Sequence, residues 1–149
     1  GVIIVYNKWD TVDKDEKTMN AIEKEIRAQF VYLDYAPIAF TSALTHSKVN
    51  KLIPLIDEVH DSCCMRIMTN VLNDVILDAQ MMNPPKPHLG KQLKIYYASQ
   101  VSVEPPTIVL FVNDPELLHF SYSRYIENKL REAFGFVGTP IRIIARKKS

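Results

Sequence analysis

Three side chains in the first ten residues are spaced to do chemistry: Asn7, Lys8 and Asp10 of Asn7-Lys8-Trp9-Asp10. They follow the apolar run Gly1-Val2-Ile3-Ile4-Val5-Tyr6 directly. A β-branched apolar run reads as a buried strand, and ligands of open α/β sheets bind at the carboxyl ends of such strands. A carboxylate there can accept two hydrogen bonds from the ring N–H and exocyclic amine of guanine, a pattern adenine does not offer. The Lys8 stem can lie along the base, and the Asn7 amide can brace a neighbouring loop. Such a pocket rejects the wrong base by leaving its own acceptors unpaired. By itself the tetrapeptide is equally compatible with a turn that caps the next helix. A second group shifts the balance: Phe40-Thr41-Ser42-Ala43-Leu44 follows another apolar run. A small side chain and a backbone N–H at Ser42 and Ala43 suit the close approach of a base and its keto oxygen.

The elements that must hold these tips can be read from periodicity. Residues 1–6 and 37–41 are expected strands, joined by an amphipathic helix over 14–30 with Met19, Ile22, Ile26 and Phe30 on one face. A helix over 50–62 places Leu52, Ile53, Ile56 and Val59 together, with Pro54 tolerable in its first turn. Thr69 is the expected N-cap of a helix carrying Leu72, Val75, Ile76 and Ala79 inward. Pro84-Pro85-Lys86-Pro87 cannot continue it. Strands over 92–101 and 107–113 follow, joined by a turn at Glu104-Pro105-Pro106. Asp114-Pro115 starts a short helical turn, and a longer helix carries Tyr122, Ile126, Leu130 and Ala133 until Gly135 caps it. Residues 140–146 close as a third strand. Helix, strand, strand, helix, strand is an α+β layer arrangement, three strands with helices on one side.

Composition is that of an ordinary globular chain: 149 residues, 47% apolar, 23% charged, net charge +1. No apolar stretch approaches a membrane span, and no signal peptide is visible. The two cysteines are adjacent, Cys63-Cys64; they read as reduced, helix-packing residues of a cytoplasmic protein. Charge is uneven. Residues 1–68 hold 8 basic and 10 acidic side chains, whereas 69–149 hold 10 and 7. A basic second half fits a polyanionic partner, or a solvated face with no ligand.

Asn7-Lys8-Trp9-Asp10 and Thr41-Ser42-Ala43 resemble the last two nucleotide motifs of the translation-factor class of GTPases. The rest of the chain is similar to one family. Tyr96-Tyr97-Ala98-Ser99-Gln100-Val101, Pro105-Pro106-Thr107, Val112-Asn113-Asp114-Pro115-Glu116-Leu117, His119-Phe120-Ser121-Tyr122, Arg124-Tyr125, Glu127-Asn128 and Gly138-Thr139-Pro140-Ile141 resemble the C-terminal part of the Der (EngA) family. These are bacterial double-Era-like GTPases of ribosome assembly. The resemblance implies an α/β C-terminal half of a P-loop-type G domain over 1–67, then an α+β KH-like domain over 68–149. It implies a GTP-binding, GTP-hydrolysing switch acting on the large ribosomal subunit and its rRNA in the bacterial cytoplasm, without membrane or DNA. The KH-like domain would also pack between the parent's G domains. Asn7, Lys8, Asp10, Ser42 and Ala43 would select guanine. GTP or GDP would be completed, and Mg²⁺ held, by upstream residues, because the sequence has no Gly-x-x-x-x-Gly-Lys-Ser/Thr loop, no Asp-x-x-Gly and no switch threonine. The chain is then expected to be a fragment, inactive alone, supplying specificity and no catalytic residue. A stand-alone RNA- or protein-binding module with a vestigial nucleotide motif is the alternative.

One departure bears on RNA. KH modules clamp the nucleic-acid backbone with a Gly-x-x-Gly loop, but the matching place here reads Leu117-Leu118-His119-Phe120. Surface cations are therefore the sharper RNA or partner candidates: Lys91, Lys94, Arg124, Arg131, Arg142, Arg146, Lys147 and Lys148. Arg142 and Arg146 share one strand face, either an exposed sheet face or an RNA contact. Of Tyr96 and Tyr97, which could stack on bases, alternation sends at least one into the core. His46-Ser47 reads as a loop, His60 and His119 as packed or solvent-facing, and Asp13 and Asp15 as helix-start acids. Met65, Met68, Met81 and Met82 read as gap-filling residues. No metal ligand set is expected.

Overall fold

The computed structural model describes residues 1–13 and 15–149, which form two compact units. The first is Gly1–Ser62 with Val137–Thr139; the second is Cys63–Phe136 with Pro140–Ser149.

In the first unit β1 (Ile4–Tyr6) and β2 (Ile38–Phe40) pair in parallel, with Tyr6 opposite Phe40. Parallel neighbours require a crossover, supplied by α1 (Glu16–Gln29). Asp15 caps it, its side chain accepting from the Lys17 N–H at 3.3 Å. Lys14, the expected start, lies outside the described residues. Ile26 is buried, with Met19 and Ile22 half-buried. Phe30 leaves the stripe: it sits past the helix end at the C-cap, 38% exposed, and meets Tyr32 edge-on. Arg27 then turns the chain toward β2 by donating to the carbonyls of Leu33, Asp34 and Ala36 at 3.2, 3.2 and 2.7 Å. A single 3₁₀ turn, Val49–Lys51, precedes α2 (Leu52–Cys64), so Pro54 falls in the first turn. The inward face of α2 is Leu52, Leu55, Val59 and Ser62, which corrects the expected set. Ile53 and Ile56 are 64% and 50% exposed.

The second unit is a mixed three-stranded sheet. β3 (Ile95–Ser102) runs antiparallel to the central β4 (Thr107–Val112), and β5 (Arg142–Lys147) runs parallel to it. Two helices pack on one face, α3 (Thr69–Met82) and the crossover α4 (Phe120–Phe134). Leu72, Ile76 and Ala79 of α3 and Ile126 and Leu130 of α4 meet Ala98, Ile108, Leu110 and Val112 in one core. Asp114 caps the turn Pro115–Leu117, accepting from the Glu116 N–H at 3.1 Å, and Gly135 ends α4 at φ 88°. Three local expectations are corrected. Met68, with extended backbone and no capping side chain, holds the N-cap of α3, and Thr69 is its first helical residue. Phe134, not Ala133, continues the α4 stripe, because Ala133 is exposed. Tyr96 is an extra residue in the β3 ladder, since the register shifts between Ile95 and Tyr97. A bulge breaks strict alternation, so both Tyr96 and Tyr97 stay outside the core, 50% and 41% exposed.

Amide side chains complete the polar accounting. Asn73 accepts the Ala98 N–H at 2.7 Å and donates to its carbonyl at 2.9 Å. Gln80 does the same for Ile95 at 3.2 and 3.4 Å. Helix α3 thereby occupies the backbone groups on the outer edge of β3, which a bare edge would leave open. Gln100, buried, accepts from the Ile67 N–H at 2.7 Å and donates to the Met65 carbonyl at 2.9 Å. The hydroxyls of Tyr125 and Tyr122 donate to the Ala79 and Asn83 carbonyls at the end of α3, at 2.8 and 3.0 Å.

Candidate functional site

The loops after β1 and β2 meet. The Thr41 N–H donates to the Tyr6 carbonyl at 2.9 Å and the Trp9 N–H to the Thr41 carbonyl at 3.0 Å, continuing the strand pairing past both ends. Trp9 is 5% exposed, its ring 4.9 Å from Phe40 and 6.2 Å from Tyr6. This aromatic wedge anchors one tip on the other. Lys8, at φ 61°, adopts the left-handed conformation that turns the chain, and its carbonyl accepts from the Thr11 hydroxyl at 2.8 Å. Two side-chain links then join the tips. The Ser42 hydroxyl donates to Asp10 Oδ1, and the Ala43 N–H donates to Asn7 Oδ1 at 3.1 Å. Ser42 Oγ also accepts from the Thr45 N–H at 3.2 Å. Asp10 is half-buried while Asn7, Lys8 and Ala43 are exposed. All five residues singled out for base recognition therefore lie together. Holding one oxygen of Asp10 by a hydroxyl fixes the carboxylate plane and leaves Oδ2 available to planar N–H donors.

The cations of the second unit are distributed differently. Lys91, Lys94 and Arg124 are exposed. Arg131 is half-buried, donating to the Phe136 carbonyl at 2.9 Å and pairing with Glu127 at 2.9 Å, so its guanidinium closes the end of α4. Arg142, Arg146 and Lys147 are exposed on β5. The register puts Arg142 opposite Thr107 and Arg146 opposite Phe111, on the sheet face away from the helices. Lys148 holds its ammonium 4.8 Å from the Tyr96 ring centroid. Leu117 and His119 of the Leu117–Phe120 loop border a cleft of about 230 Å³ with Pro85, Lys86 and Tyr122. The His119 ring meets His88 edge-on at 5.0 Å. Burial first, then the nearby Tyr125, pushes the Tyr122 hydroxyl up to about 12.

Two partners escaped sequence reasoning. The Ser42 hydroxyl as the holder of Asp10 bridges 32 positions, and no local signal marks it. Phe111 stacks under Tyr97 at 4.3 Å with planes 16° apart; here alternation along β4 is the signal, because Phe111 lies on the face opposite Leu110 and Val112.

Comparison with known proteins agrees with this architecture. Residues 66–146 match the family model described as the KH-domain-like C-terminal domain of EngA bacterial GTPase enzymes. The chain is 65% identical over 147 residues to proteins named GTPase Der from Bacillus cereus and Bacillus thuringiensis, and equally to one from Bacillus anthracis. Those alignments cover 99% of this chain and 34% of each relative, so the chain spans about a third of their length. With a mixed sheet backed by two helices and a family model spanning most of that unit, the chain belongs to the Der (EngA) family of bacterial GTPases.

Proposed function

We propose that this chain is part of a GTP-binding, GTP-hydrolysing switch acting in large-subunit ribosome assembly, and that it supplies guanine specificity together with a KH-like interaction domain. In this reading residues 1–67 are the C-terminal half of a P-loop-type G domain, and residues 68–149 the KH-like domain. The observation that carries it is the pair of links between the β1 and β2 tips, Asp10 with Ser42 and Asn7 with Ala43. A guanine base would offer its ring N–H and exocyclic amine to Asp10, and its keto oxygen would lie toward the Ser42–Ala43 backbone. Lys8 would cover the base with its stem. Exposed Val5, Ile53 and Ile56 also support a larger apolar layer than this unit presents. The residues present fit the base; the phosphates and Mg²⁺ would be held by the P-loop and switch residues of the parent, none of which occurs in this sequence. In this reading the partners are the large ribosomal subunit with its rRNA and the G domains of the parent, and the action lies in the bacterial cytoplasm.

The test is titration of a fluorescent GDP analogue into the chain as it stands and into a full-length protein carrying it. Binding is expected only in the second case, with ADP failing to compete. Equal binding of adenine and guanine nucleotides by the full-length protein would refute the assigned role of Asp10.

A further inference from the structure

We propose that the sheet face of the second unit turned away from its helices binds single-stranded RNA, stacking a base on Tyr97 while Arg142, Arg146 and Lys148 neutralise the backbone. This rests on reading the second unit as an RNA-facing domain, and it assigns the contact to a surface that KH modules do not use. Four observations support it. First, Tyr97 lies flat against Phe111, 4.3 Å between centroids and 16° between planes, and is still 41% exposed. One ring face is backed by Phe111, so the platform is set before any ligand arrives. Second, Tyr96, the bulge residue that precedes it, is 50% exposed with the Lys148 ammonium 4.8 Å from its ring centroid. Third, the register places Arg146 in the same row as Tyr97 and Phe111, with Arg142 four residues back along the same face. Fourth, β3, β4 and β5 contain no Asp or Glu, whereas β5 alone carries Arg142, Arg146 and Lys147.

Aromatic platforms flanked by cations are how single strands are held without sequence readout. A duplex cannot use such a platform, because its bases are already stacked. An acidic protein segment would answer the cations but leave the stacked rings without a flat partner. The alternative RNA surface, the Leu117–Phe120 loop, has no glycine to bring backbone N–H groups against phosphates.

The experiment is fluorescence anisotropy of a fluorescein-labelled ten-nucleotide oligouridylate with the 149-residue chain, at several salt concentrations. Tyr97→Ala is expected to weaken binding about 10-fold, and Tyr97→Phe to stay within about two-fold. Arg146→Gln is expected to weaken binding and lower the slope of log K against log salt by about 1. Ultraviolet crosslinking of the unaltered chain checks the contact without any substitution, with adducts expected on Tyr96, Tyr97 or Phe111. Salt-dependent binding indifferent to Tyr97→Ala, with adducts confined to residues 117–120, would overturn the stacking face and leave the RNA-facing reading standing. No salt-dependent binding by the unaltered chain would overturn both. Adducts with an added acidic peptide in place of RNA would assign the face to protein and likewise end the proposal.

Discussion

Replacing Asn73 by Ala tests how the sheet of the second unit is closed. The Asn73 amide accepts the Ala98 N–H at 2.7 Å and donates to the Ala98 carbonyl at 2.9 Å, with a further donation to the Thr69 carbonyl at 2.7 Å. Ala98 is 0% exposed, so both of its backbone groups lose their partner in a dry place. An unsatisfied buried polar group costs roughly 1–3 kcal/mol. Two of them, with some water entering the space vacated by the side chain, give a loss of about 2–4 kcal/mol. Each kcal/mol lowers the melting temperature of a domain this size by about 4–8 °C, so a drop of about 8–32 °C is expected. Gln80→Ala removes the equivalent pair at Ile95, but those bonds are longer, 3.2 and 3.4 Å, and lie at the strand's start. Its effect should be about half as large. The assay is far-UV circular dichroism during heating, with urea unfolding as a second measure at constant m. A shift under about 3 °C for Asn73→Ala, or a larger one for Gln80→Ala, would refute the claim that these amides close the edge of β3.

Four further outcomes are expected. In a full-length protein carrying this chain, Asp10→Asn should lose GDP and gain xanthosine diphosphate, because the amide offers a donor where the base now has a keto group; nucleotide competition reads this directly. Gly135→Ala should lower stability by about 1–3 kcal/mol in urea unfolding, since the cap at φ 88° and ψ −76° lies outside the region open to L residues. Arg131→Gln should reduce thermal stability by about 1 kcal/mol and leave RNA affinity nearly unchanged, because the side chain is spent on the Phe136 carbonyl and Glu127. Burial pushes the Tyr122 hydroxyl of the folded chain up to about 12, above the ordinary tyrosine value of 10.0. The folded state therefore holds more protons above pH 10, and this contribution is full below pH 10 and disappears as pH rises toward 12. Tyr122→Phe should flatten that part of the urea midpoint against pH curve; an identical slope in both proteins would count against it.

Features written locally were legible in the sequence. Asp114-Pro115 specified its own turn, Gly135 its own cap, and the run before Asn7 its own strand, because each depends on neighbours within a few residues. What required tertiary structure was not. Helix α2 offers two apolar stripes at the same spacing, and only packing selects Leu55 over Ile53 and Ile56. Alternation misplaced Tyr96 and Tyr97 because a bulge is decided by the partner strand. Met68 and Thr69 differ by one residue, which is the ordinary uncertainty of a helix end. Asn73 and Gln80 sit 25 and 15 positions from the backbone groups they satisfy, and no pattern within a helix announces such a partner. The five residues proposed for base recognition could be named because the chemistry that role requires is specific. The hydroxyl that holds Asp10 became visible only once the two tips were joined.

Trp9 is the chain's only indole; its ring is wedged between Tyr6 and Phe40, and its backbone N–H is bonded to the Thr41 carbonyl of the opposite tip. Its emission therefore carries a label-free optical record of whether the two loops are engaged. Parting them would hydrate the ring and redden its fluorescence, so the closure of the two loops can be followed continuously and without a dye.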